Sequence, residues 1–534
     1  PQLGSFPGAI TITPRIFGPK LVSNPYVRLI TSDWGMNLLS QTLSKRDNYK
    51  WWVLFAVAFG TFASVMTHGS VNVALPTIAT HFGTDLPTVQ WVVIAEALTV
   101  SALLLPMGRL SDLVGRKQVY ISGLVIFVAA AALAGFSNSI MLLILSKVIQ
   151  GAGAAMTQGT GMAMVTSVFP EDKRGKGIGT QMSIVGTGGM AGPVIGGLLV
   201  SALGWRWVFF INIPLGIIAA VAALLIMDKS IFFQERRGTR YDWLGAALST
   251  GALVTFLMLM TNGYRAGWTS PPIVAAALAF GGLLATFIWW ELRAPAPMLD
   301  LRLFARRVFA LGVLASFVSF LGTSSVRFLM PFYLQGVLGF KPGQIGLIML
   351  PTAITMTIMG PLAGRWSDKY GFRRFNVAGL TLSATGLYII SRLSETSSVS
   401  LVIVAMVLQA AGNGLFNSPN SASIFSAAEA SKHGVVSALL SLVRNSANVT
   451  SIAVATTIVT ATMVSMGYAP DLGDVRTSED SGVLSAFVSG LRLLYLIMGS
   501  VLLIGVAASF FKGSQQTEKP TEPAPEPEAR TSAD

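Results

Sequence analysis

The chain has 534 residues, of which 52% are hydrophobic and only 11% carry a charged side chain. A soluble domain has about 25% charged residues, so this composition excludes a soluble globular protein and predicts a polytopic membrane protein. The net charge is +13, but the basic residues cluster in alternate loops rather than on one face, so we do not expect nucleic acid as a partner. The absence of cysteine excludes disulfides and thiolate metal sites.

Fourteen apolar runs along the chain are long enough to span a bilayer, which predicts an all-α polytopic membrane protein. They lie near 52–76, 88–108, 118–136, 139–160, 177–202, 207–227, 242–261, 272–291, 308–334, 344–364, 375–392, 399–425, 434–465 and 490–511. The segments outside them, residues 1–50 and the Pro/Glu-rich residues 513–534, are expected to be a partly disordered N-terminal segment and a disordered tail.

Lysine and arginine are concentrated in every second loop between these runs. The basic loops contain Lys45, Arg46 and Lys50; Arg109, Arg116 and Lys117; Lys173, Arg174 and Lys176; Arg236, Arg237 and Arg240; Arg302, Arg306 and Arg307; and Arg365, Lys369, Arg373 and Arg374. Because basic loops stay on the cytoplasmic side, this alternation predicts that both termini are cytoplasmic.

The loop after the second run is repeated later in the chain. It reads Gly108-Arg-Leu-Ser-Asp-Leu-Val-Gly-Arg-Lys117, and the second copy reads Gly364-Arg-Trp-Ser-Asp-Lys-Tyr-Gly-Phe-Arg373, which begins 256 residues later (364 − 108). Two copies indicate an internally duplicated transporter. Six helices need roughly 180–200 residues, so the surplus fits two extra helices. We predict six-helix bundles over 51–228 and 301–512, joined by a linker over 229–300 that contains the inserted pair.

Each copy combines turn-forming glycines with charged side chains. Gly108 and Gly115 allow a tight reversal, and Asp112 can cap the next helix and accept hydrogen bonds from Arg116. The pattern resembles the loop between the second and third helices of each half in the major facilitator superfamily. That resemblance implies that the loop locks the cytoplasmic side in the outward-open state, with gating roles for Gly108, Arg109, Asp112, Gly115, Arg116, Gly364, Asp368, Gly371 and Arg373. The alternative, a loop that only sets topology, is disfavoured by the second copy.

The fifth run carries a stripe of small residues. Gly188, Gly192 and Gly196 recur at every fourth position, which lets another helix approach closely, and Pro193 removes a backbone hydrogen bond and bends the helix. This segment resembles the antiporter signature of the same superfamily, although ordinary helix packing is the other interpretation. Together with the segments 70–76 and 204–216, it is similar to the fourteen-helix drug:proton antiporter branch.

The chain departs from that branch at three positions within the membrane. Thr67, followed by His68, stands where an aspartate is usual; Glu96 replaces a usual tyrosine and Lys147 a usual arginine. Counting 1.5 Å per residue puts His68, Glu96 and Lys147 each about 12 Å below the outer boundary. Because ionisable residues inside a membrane are costly and usually functional, we predict proton coupling by Glu96 and His68. The alternatives are a structural ion pair of Glu96 with Lys147 or Arg327, and a packing role for His68.

Further polar side chains recur at helical spacing on several runs. Uncharged polar stripes often serve as interhelical glue, which is the alternative interpretation. The predicted substrate pathway consists of Asn72, Lys147, Gln150, Arg327, Gln409, Asn413 and Arg444.

No enzyme constellation is present in the sequence. There is no phosphate-binding loop, so ATP is not expected as the direct energy source, and the three histidines do not pair at metal spacing. We therefore expect neither a cofactor nor a metal. The resemblance implies a monomeric secondary exporter of drug-like or amphipathic small molecules in a bacterial cytoplasmic membrane, working by proton antiport and alternating access, with protons and the lipid bilayer as its other partners.

Two alternatives remain at this stage. The first is a facilitator, or an exporter of an anionic metabolite or lipid, with non-standard or no proton coupling. It is favoured by the two cations Lys147 and Arg327, which face one carboxylate in the outer layer. The second is a non-transporting receptor or scaffold, which is disfavoured because no large extramembrane domain is evident.

Overall fold

The computed structural model describes residues 48–170, 174–228, 231, 242–294, 301–428, 433–468 and 481–512, and all regular secondary structure in these residues is helical. The predicted terminal segments and most of the loop over 229–241 lie outside the described residues. Fourteen long helices occupy the predicted places: α1 (Tyr49–Phe82), α2 (Trp91–Val114), α3 (Arg116–Gly135), α4 (Ile140–Val168), α5 (Arg174–Leu203), α6 (Asn212–Ile226), α7 (Trp243–Ala266), α8 (Pro271–Glu291), α9 (Arg307–Phe332), α10 (Pro342–Tyr370), α11 (Phe372–Ile390), α12 (Val399–Ser426), α13 (His433–Ser465) and α14 (Ser481–Phe511).

Twelve of these helices are long and apolar enough to cross a membrane. Helix α6 is counted among them together with the single turn Trp207–Phe210 that precedes it. In α5 the strongly apolar stretch covers only Thr187–Leu203, and α11 is not among the twelve. All fourteen helices are present, while the count of fourteen membrane crossings remains a prediction.

Equivalent helices of the two halves begin and end in the same way. Gly115 and Gly371 end α2 and α10 with φ of 110° and 83°, which favours glycine because a side chain is strained there. Ser139 and Ser398 cap α4 and α12 by accepting hydrogen bonds from Leu142 and Leu401. The duplication predicted from the charged turns is therefore also visible in how the helices begin and end.

Close helix pairs are repeated as well. Gly123 of α3 lies against Gly153 of α4, and Gly379 of α11 lies against Gly412 of α12, in both cases with no room for a side chain between the backbones. Within each half the same pairs pack together: α1 with α5 and α9 with α13, and α2 with α4 and α10 with α12. This is the pseudo-symmetry of a transporter built from repeated bundles.

The inserted helices sit on the outside of this arrangement. Helix α7 packs against α2 and α13, and Thr250 donates a hydrogen bond of 2.9 Å to the Ala102 carbonyl of α2. Helix α8 packs on α7, and most of its side chains are exposed. An exposed apolar helix of this kind is suited to lipid contact.

The halves meet at the end of the molecule where α1 and α5 finish. Gly346 of α10 lies against Pro193 and Val194 of α5, and the Gly343 amide donates a 2.7 Å hydrogen bond to the Ser201 hydroxyl. We call this region the far end. A second hydrogen bond between the halves, of 3.5 Å from the Gln335 amide to the Thr77 hydroxyl, also lies there. With the predicted topology, this contact between the halves lies on the extracellular side.

Candidate functional site

A buried ion pair lies in the core of the N-terminal helices. Glu96 of α2 contacts Lys147 of α4 through its Oε2, and each residue is only 1% exposed. Lys147 also donates a 2.7 Å hydrogen bond to Gln150 Oε1 and lies 5.7 Å from the centre of the Phe209 ring. The structure thus brings together three predicted site residues, Glu96, Lys147 and Gln150. It assigns Lys147, rather than Arg327, as the partner of Glu96.

His68 of α1 stands between this pair and more open space. Its Nε2 lies 3.9 Å from Glu96 Oε1, and its side chain is 33% exposed while that of Glu96 is 2% exposed. Its Nδ1 lies 2.8 Å from the Ser64 carbonyl, which can only accept, so Nδ1 carries the proton. Neutral His68 therefore presents a lone pair to the carboxylate, and a proton on Nε2 turns this contact into an attractive one.

The pair is only partly satisfied. Glu96 Oε1 is buried and has no hydrogen-bond partner, and the same is true of Gln150 Nε2 and Asn72 Oδ1, which lies one turn from His68. A buried carboxylate oxygen without a donor is unfavourable, because it has lost water without replacement. Glu96 Oε1 is therefore the unsatisfied oxygen of this carboxylate.

Thr67, which occupies the usual aspartate position, faces a different helix. Its hydroxyl lies 2.6 Å from Asn212 Oδ1 and 2.7 Å from the Ala63 carbonyl, and the residue is fully buried. Asn212 begins α6 and donates to the Val208 carbonyl. Glu96 is thus on the His68 side of α1 and does not fill the place of the Thr67 side chain. Sequence reasoning did not assign Asn212 a role, although it lies in the segment 204–216.

Two arginines of the C-terminal helices form a second charged group. Arg327 of α9 is exposed and Arg444 of α13 is half-buried, and the two guanidinium groups are close enough to repel each other. Arg327 lies 3.4 Å from the Ser324 hydroxyl, which in turn contacts Asn448. In the part of the chain that the structure describes, neither arginine has a carboxylate partner.

The predicted pathway residues of α12 have mixed positions. Asn413 is buried and donates a 3.2 Å hydrogen bond to Thr323 of α9, and it accepts one from Asn417. The backbone of Gln409 packs against Gly386 of α11. Asn413 therefore holds α12 against α9, and Gln409 lies at the contact of α12 with a helix of the same half.

The described side chains of the two charged turns bind within their own halves. Arg116 donates a 3.2 Å hydrogen bond to the Ala163 carbonyl of α4, and Arg373 lies 4.3 Å from the centre of the Phe510 ring of α14. Gly108 lies against Gly159 of α4, and Gly364 against Ser418 of α12. The side chains of Arg109, Asp112 and Asp368 lie outside the described parts of these helices, so their gating roles stay predictions.

The glycine stripe of α5 packs against α1. A side chain at Gly192 or Gly196 would collide with the backbone of Gly69 or Ser70, and the Ser70 hydroxyl donates a 2.8 Å hydrogen bond to the Gly192 carbonyl. Gly188 similarly approaches the Phe62 carbonyl. Pro193 meets Gly346 across the two halves, so one short segment of α5 contacts both α1 and the other half.

A buried lysine was missed in the sequence. Lys512, directly after α14, is 1% exposed, donates a 2.7 Å hydrogen bond to Asn420 Oδ1, and also contacts the Ser423 hydroxyl. Burial lowers its pKa from 10.5 to about 7. The available signal was the Asn420 position on α12, one turn from Ser423, but nothing in the sequence places Lys512 beside it.

Comparison with known proteins places this arrangement in a family. Residues 57–312, 229–450 and 312–533 each match the profile of the Major Facilitator Superfamily. The chain is 33% identical to the riboflavin transporter RibZ of Clostridioides difficile (strain 630), over 74% of this chain and 85% of that protein. It is 31% identical to the multidrug resistance protein Stp of Mycobacterium tuberculosis (strain CDC 1551 / Oshkosh), over 73% of this chain and 72% of that protein.

The fold is also that of solved transporters. A bacterial homologue of the human lysosomal transporter Spinster, in an inward-facing and unoccupied conformation, superposes with a TM-score of 0.64 at 18% identity, over 88% of this chain and 97% of that one. At this identity the likeness concerns the fold alone. The profile matches extend over both halves and the insert, and the relatives are transporters rather than enzymes. The chain belongs to the major facilitator superfamily.

Proposed function

We propose that this membrane transporter is a secondary active exporter that exchanges small organic molecules for protons by alternating access, in a bacterial cytoplasmic membrane and with both termini inside. The observation that carries the proposal is the buried Glu96–Lys147 pair with His68 beside it. A carboxylate, a basic side chain and an imidazole inside the membrane offer groups that can accept a proton beside a charge that responds to it. The names of the relatives, a riboflavin transporter and multidrug resistance proteins, support small organic molecules as cargo.

The geometry suggests a route for the proton. A proton entering from the exposed side of His68 binds Nε2 and then passes to Glu96 Oε1, which has no other hydrogen-bond partner. Neutral Glu96 no longer compensates the charge of Lys147, and an uncompensated buried charge is strongly unfavourable. Protonation therefore favours rearrangement of α1, α2 and α4 relative to one another.

The same helices contact the interface between the halves. Helix α1 packs on the Gly192 segment of α5, and the next residue of α5, Pro193, meets Gly346 of α10. A shift of α1 that accompanies protonation is thus transmitted through one short segment to the contact that seals the far end. Secondary transporters of this architecture work by rocking one bundle against the other around a fixed site.

The rival proposal is a facilitator in which the ion pair is only structural. The two mechanisms differ in whether cargo movement is tied to proton movement. Purified protein in liposomes containing a trapped pH-sensitive dye separates them, with riboflavin, the cationic dye ethidium and the anionic dye carboxyfluorescein as transport probes. We expect movement of a transported probe to release or consume protons in the wild-type vesicles and not in protein-free vesicles.

A matched control is Glu395→Gln, because Glu395 lies in the loop between α11 and α12, far along the chain from the ion pair. This variant should retain the coupled proton signal. Probe transport without any proton signal, at a rate that an imposed pH gradient does not change, would establish the facilitator instead.

A further inference from the structure

We propose that Arg327 and Arg444 form an anion-binding part of the substrate site, so that the transported molecules are organic anions bearing a carboxylate, sulfonate or phosphate group. This inference rests on the proposed transport function and specifies the substrate class of the same central site.

The positions of the two arginines are fixed by a polar contact between their helices. Helices α9 and α13 pack together, and Ser324 of α9 contacts Asn448 of α13. Because consecutive helices alternate in direction, these two run the same way. Arg327 follows Ser324 by three residues and Arg444 precedes Asn448 by four, so their backbones lie about 10 Å apart along the helix axes at 1.5 Å per residue. The Arg327 guanidinium folds back along α9 to lie 3.4 Å from the Ser324 hydroxyl, and it is close enough for the charge of Arg444 to act on it.

The exposure pattern shows that Arg327 opens into space. The residues around it on α9, from Gly322 to Val326 and from Phe328 to Phe332, are all buried, whereas Arg327 itself is exposed. Its neighbours on this side are polar, Ser324 and Asn448, and the positive Arg444 is close enough to act on it electrostatically. An arginine in the middle of a membrane helix is costly against lipid. A polar chamber between the helices is therefore the place where this side chain is best accommodated.

No carboxylate of the C-terminal helices compensates the two charges. Helices α9 to α14 contain one acidic residue, Asp368, which is two residues from the end of α10 in the predicted cytoplasmic turn. In the N-terminal helices, Glu96 is already paired with Lys147. The chamber consequently carries two positive charges in excess of its own carboxylates.

Arginine cannot relieve this excess by losing its proton, because a guanidinium remains charged in proteins. A lysine or a glutamate differs from arginine in this respect, because it can become neutral when it is buried. The charge of the two arginines must be compensated by water or by a bound anion, and the guanidinium fork matches a carboxylate or phosphate through two parallel hydrogen bonds. An anionic substrate replaces water there with a stronger, charge-assisted contact.

Direct binding of two dyes tests this inference. Carboxyfluorescein and tetramethylrhodamine methyl ester share a fused xanthene ring, but the first is an anion and the second a cation. Purified protein in phosphatidylcholine nanodiscs is titrated with each dye by fluorescence anisotropy. We expect the anion to bind at least about tenfold more tightly, since charge-assisted hydrogen bonds are stronger than neutral ones. Raising the salt concentration should weaken anion binding.

The variants locate the binding. Arg327→Gln and Arg444→Gln should each weaken carboxyfluorescein binding by about tenfold or more, and Arg327→Lys by less, because lysine keeps the charge but loses the fork. Arg392→Gln, an exposed arginine at the end of α11, is the matched control and should bind like the wild type. If the glutamine variants do not fold, the dye preference and salt dependence of the wild type still decide the matter.

Equal affinity for both dyes, or unchanged binding in the two glutamine variants, would overturn the inference. Adding phosphatidylglycerol to the nanodiscs tests whether a lipid headgroup is the true ligand. Strong competition by this lipid would assign the arginines to lipid and overturn the substrate class.

The outcomes also separate this inference from the proposed function. Loss of the anion preference together with intact proton-coupled transport would reject only the anion site. A clear arginine-dependent anion preference together with transport that lacks any proton signal would reject only the coupling.

Discussion

Glu96 occupies a position where its charge is compensated but its hydrogen bonding is not. Its Oε2 contacts Lys147, whereas its Oε1 has no donor and faces the lone-pair side of His68. A residue kept only for stability is normally hydrogen-bonded at both oxygens when buried. The unsatisfied oxygen is therefore the strongest residue-level argument that the pair changes its protonation state during transport.

Removing one partner of the Glu96–Lys147 pair should destabilise the folded protein. Lys147→Gln leaves the buried carboxylate of Glu96 without a cation, and breaking a buried pair in this way typically costs about 3–5 kcal/mol. We expect a clear fall in the thermal unfolding temperature of the purified protein. In the double variant Lys147→Gln with Glu96→Gln, no buried charge is left, and most of the lost stability should return. A double variant no more stable than the single one would show that the two charges do not act as a pair.

The sequence could predict how deep in the membrane each ionisable side chain lies along its helix. It could not predict the direction in which that side chain points around the helix axis. Counting residues placed His68, Glu96 and Lys147 at one level, and the structure brings them together. The sequence could not show that Thr67 and His68, adjacent in the chain, face different neighbours. That depends on how α1 is rotated against α6, where Asn212 takes up the Thr67 hydroxyl. A contact between two helices that are distant in the chain produces no periodic pattern in the sequence from which it could be predicted.

At the scale of helices, the far end is held by backbone contacts between small residues. A Cβ at Gly346 would lie 2.8 Å from the Pro193 carbonyl oxygen and 3.1 Å from the Val194 Cα of the other half. Backbone cannot move aside as a flexible side chain can, so a larger residue there must separate α5 from α10. Because the chain contains no cysteine, a thiol reagent reacts only with a cysteine that is introduced. The separation of the two helices can therefore be measured by labelling a single introduced cysteine.

We predict that Gly346→Leu opens the far end. In a chain carrying Thr77→Cys as the only cysteine, Gly346→Leu should raise the rate of labelling by a membrane-impermeant maleimide several-fold. Gly281→Leu on α8 is the control, since a side chain there meets nothing within 4 Å and should leave the rate unchanged. An unaltered labelling rate in the Gly346→Leu chain would show that this contact does not close the far end.

Lys512 gives a pH-dependent prediction at the end of α14. Burial lowers its pKa to about 7, whereas the unfolded chain keeps the ordinary value of 10.5. The cost of burying the charged form is fully present below pH 7 and is relieved as the pH rises towards 10.5. The stability of the wild type relative to Lys512→Met should therefore increase over this range, by about 1.4 kcal/mol per pH unit. Unfolding temperatures measured at several pH values test this, and parallel curves for the two proteins would contradict it.

The helices themselves were largely predictable, because membrane helices need long apolar runs. The differences are at helix ends. The first predicted span stops at Pro76, but α1 continues through this proline to Phe82. The last predicted span begins at residue 490, whereas α14 begins at Ser481, because its first turns contain serines that lower the apolar character without breaking the helix. Packing, rather than hydropathy, decides where these helices end.

For the whole molecule, the state of the transporter could not be predicted at all. Under the proposed alternating-access mechanism, one sequence forms both an outward-open and an inward-open arrangement, so neither is encoded alone. The duplication and the inserted pair could be predicted from the spacing of the charged turns. The contacts of α7 with both α2 and α13, one helix from each half, could not, since they depend on how the halves come together.

The topology is the broadest untested prediction. Fourteen crossings with both termini inside require that fusions of a reporter protein at Ser230 and Ser514 report the cytoplasm and that a fusion at Thr477 reports the exterior, because basic loops remain inside. Alkaline phosphatase, active only outside, and green fluorescent protein, fluorescent only inside, give opposite readouts at each site. An active phosphatase at Ser514 would rule out the scheme.

Transport by the Glu96→Gln variant in liposomes shows whether Glu96 couples cargo movement to protons. Glutamine imitates the protonated carboxylate, so the halves should still exchange cargo across the membrane without responding to a pH gradient. We expect pH-driven accumulation of a transported probe to be abolished while downhill exchange continues at a measurable rate. If Glu96→Gln still concentrates the probe against its gradient with the pH dependence of the wild type, Glu96 is structural and the coupling lies elsewhere.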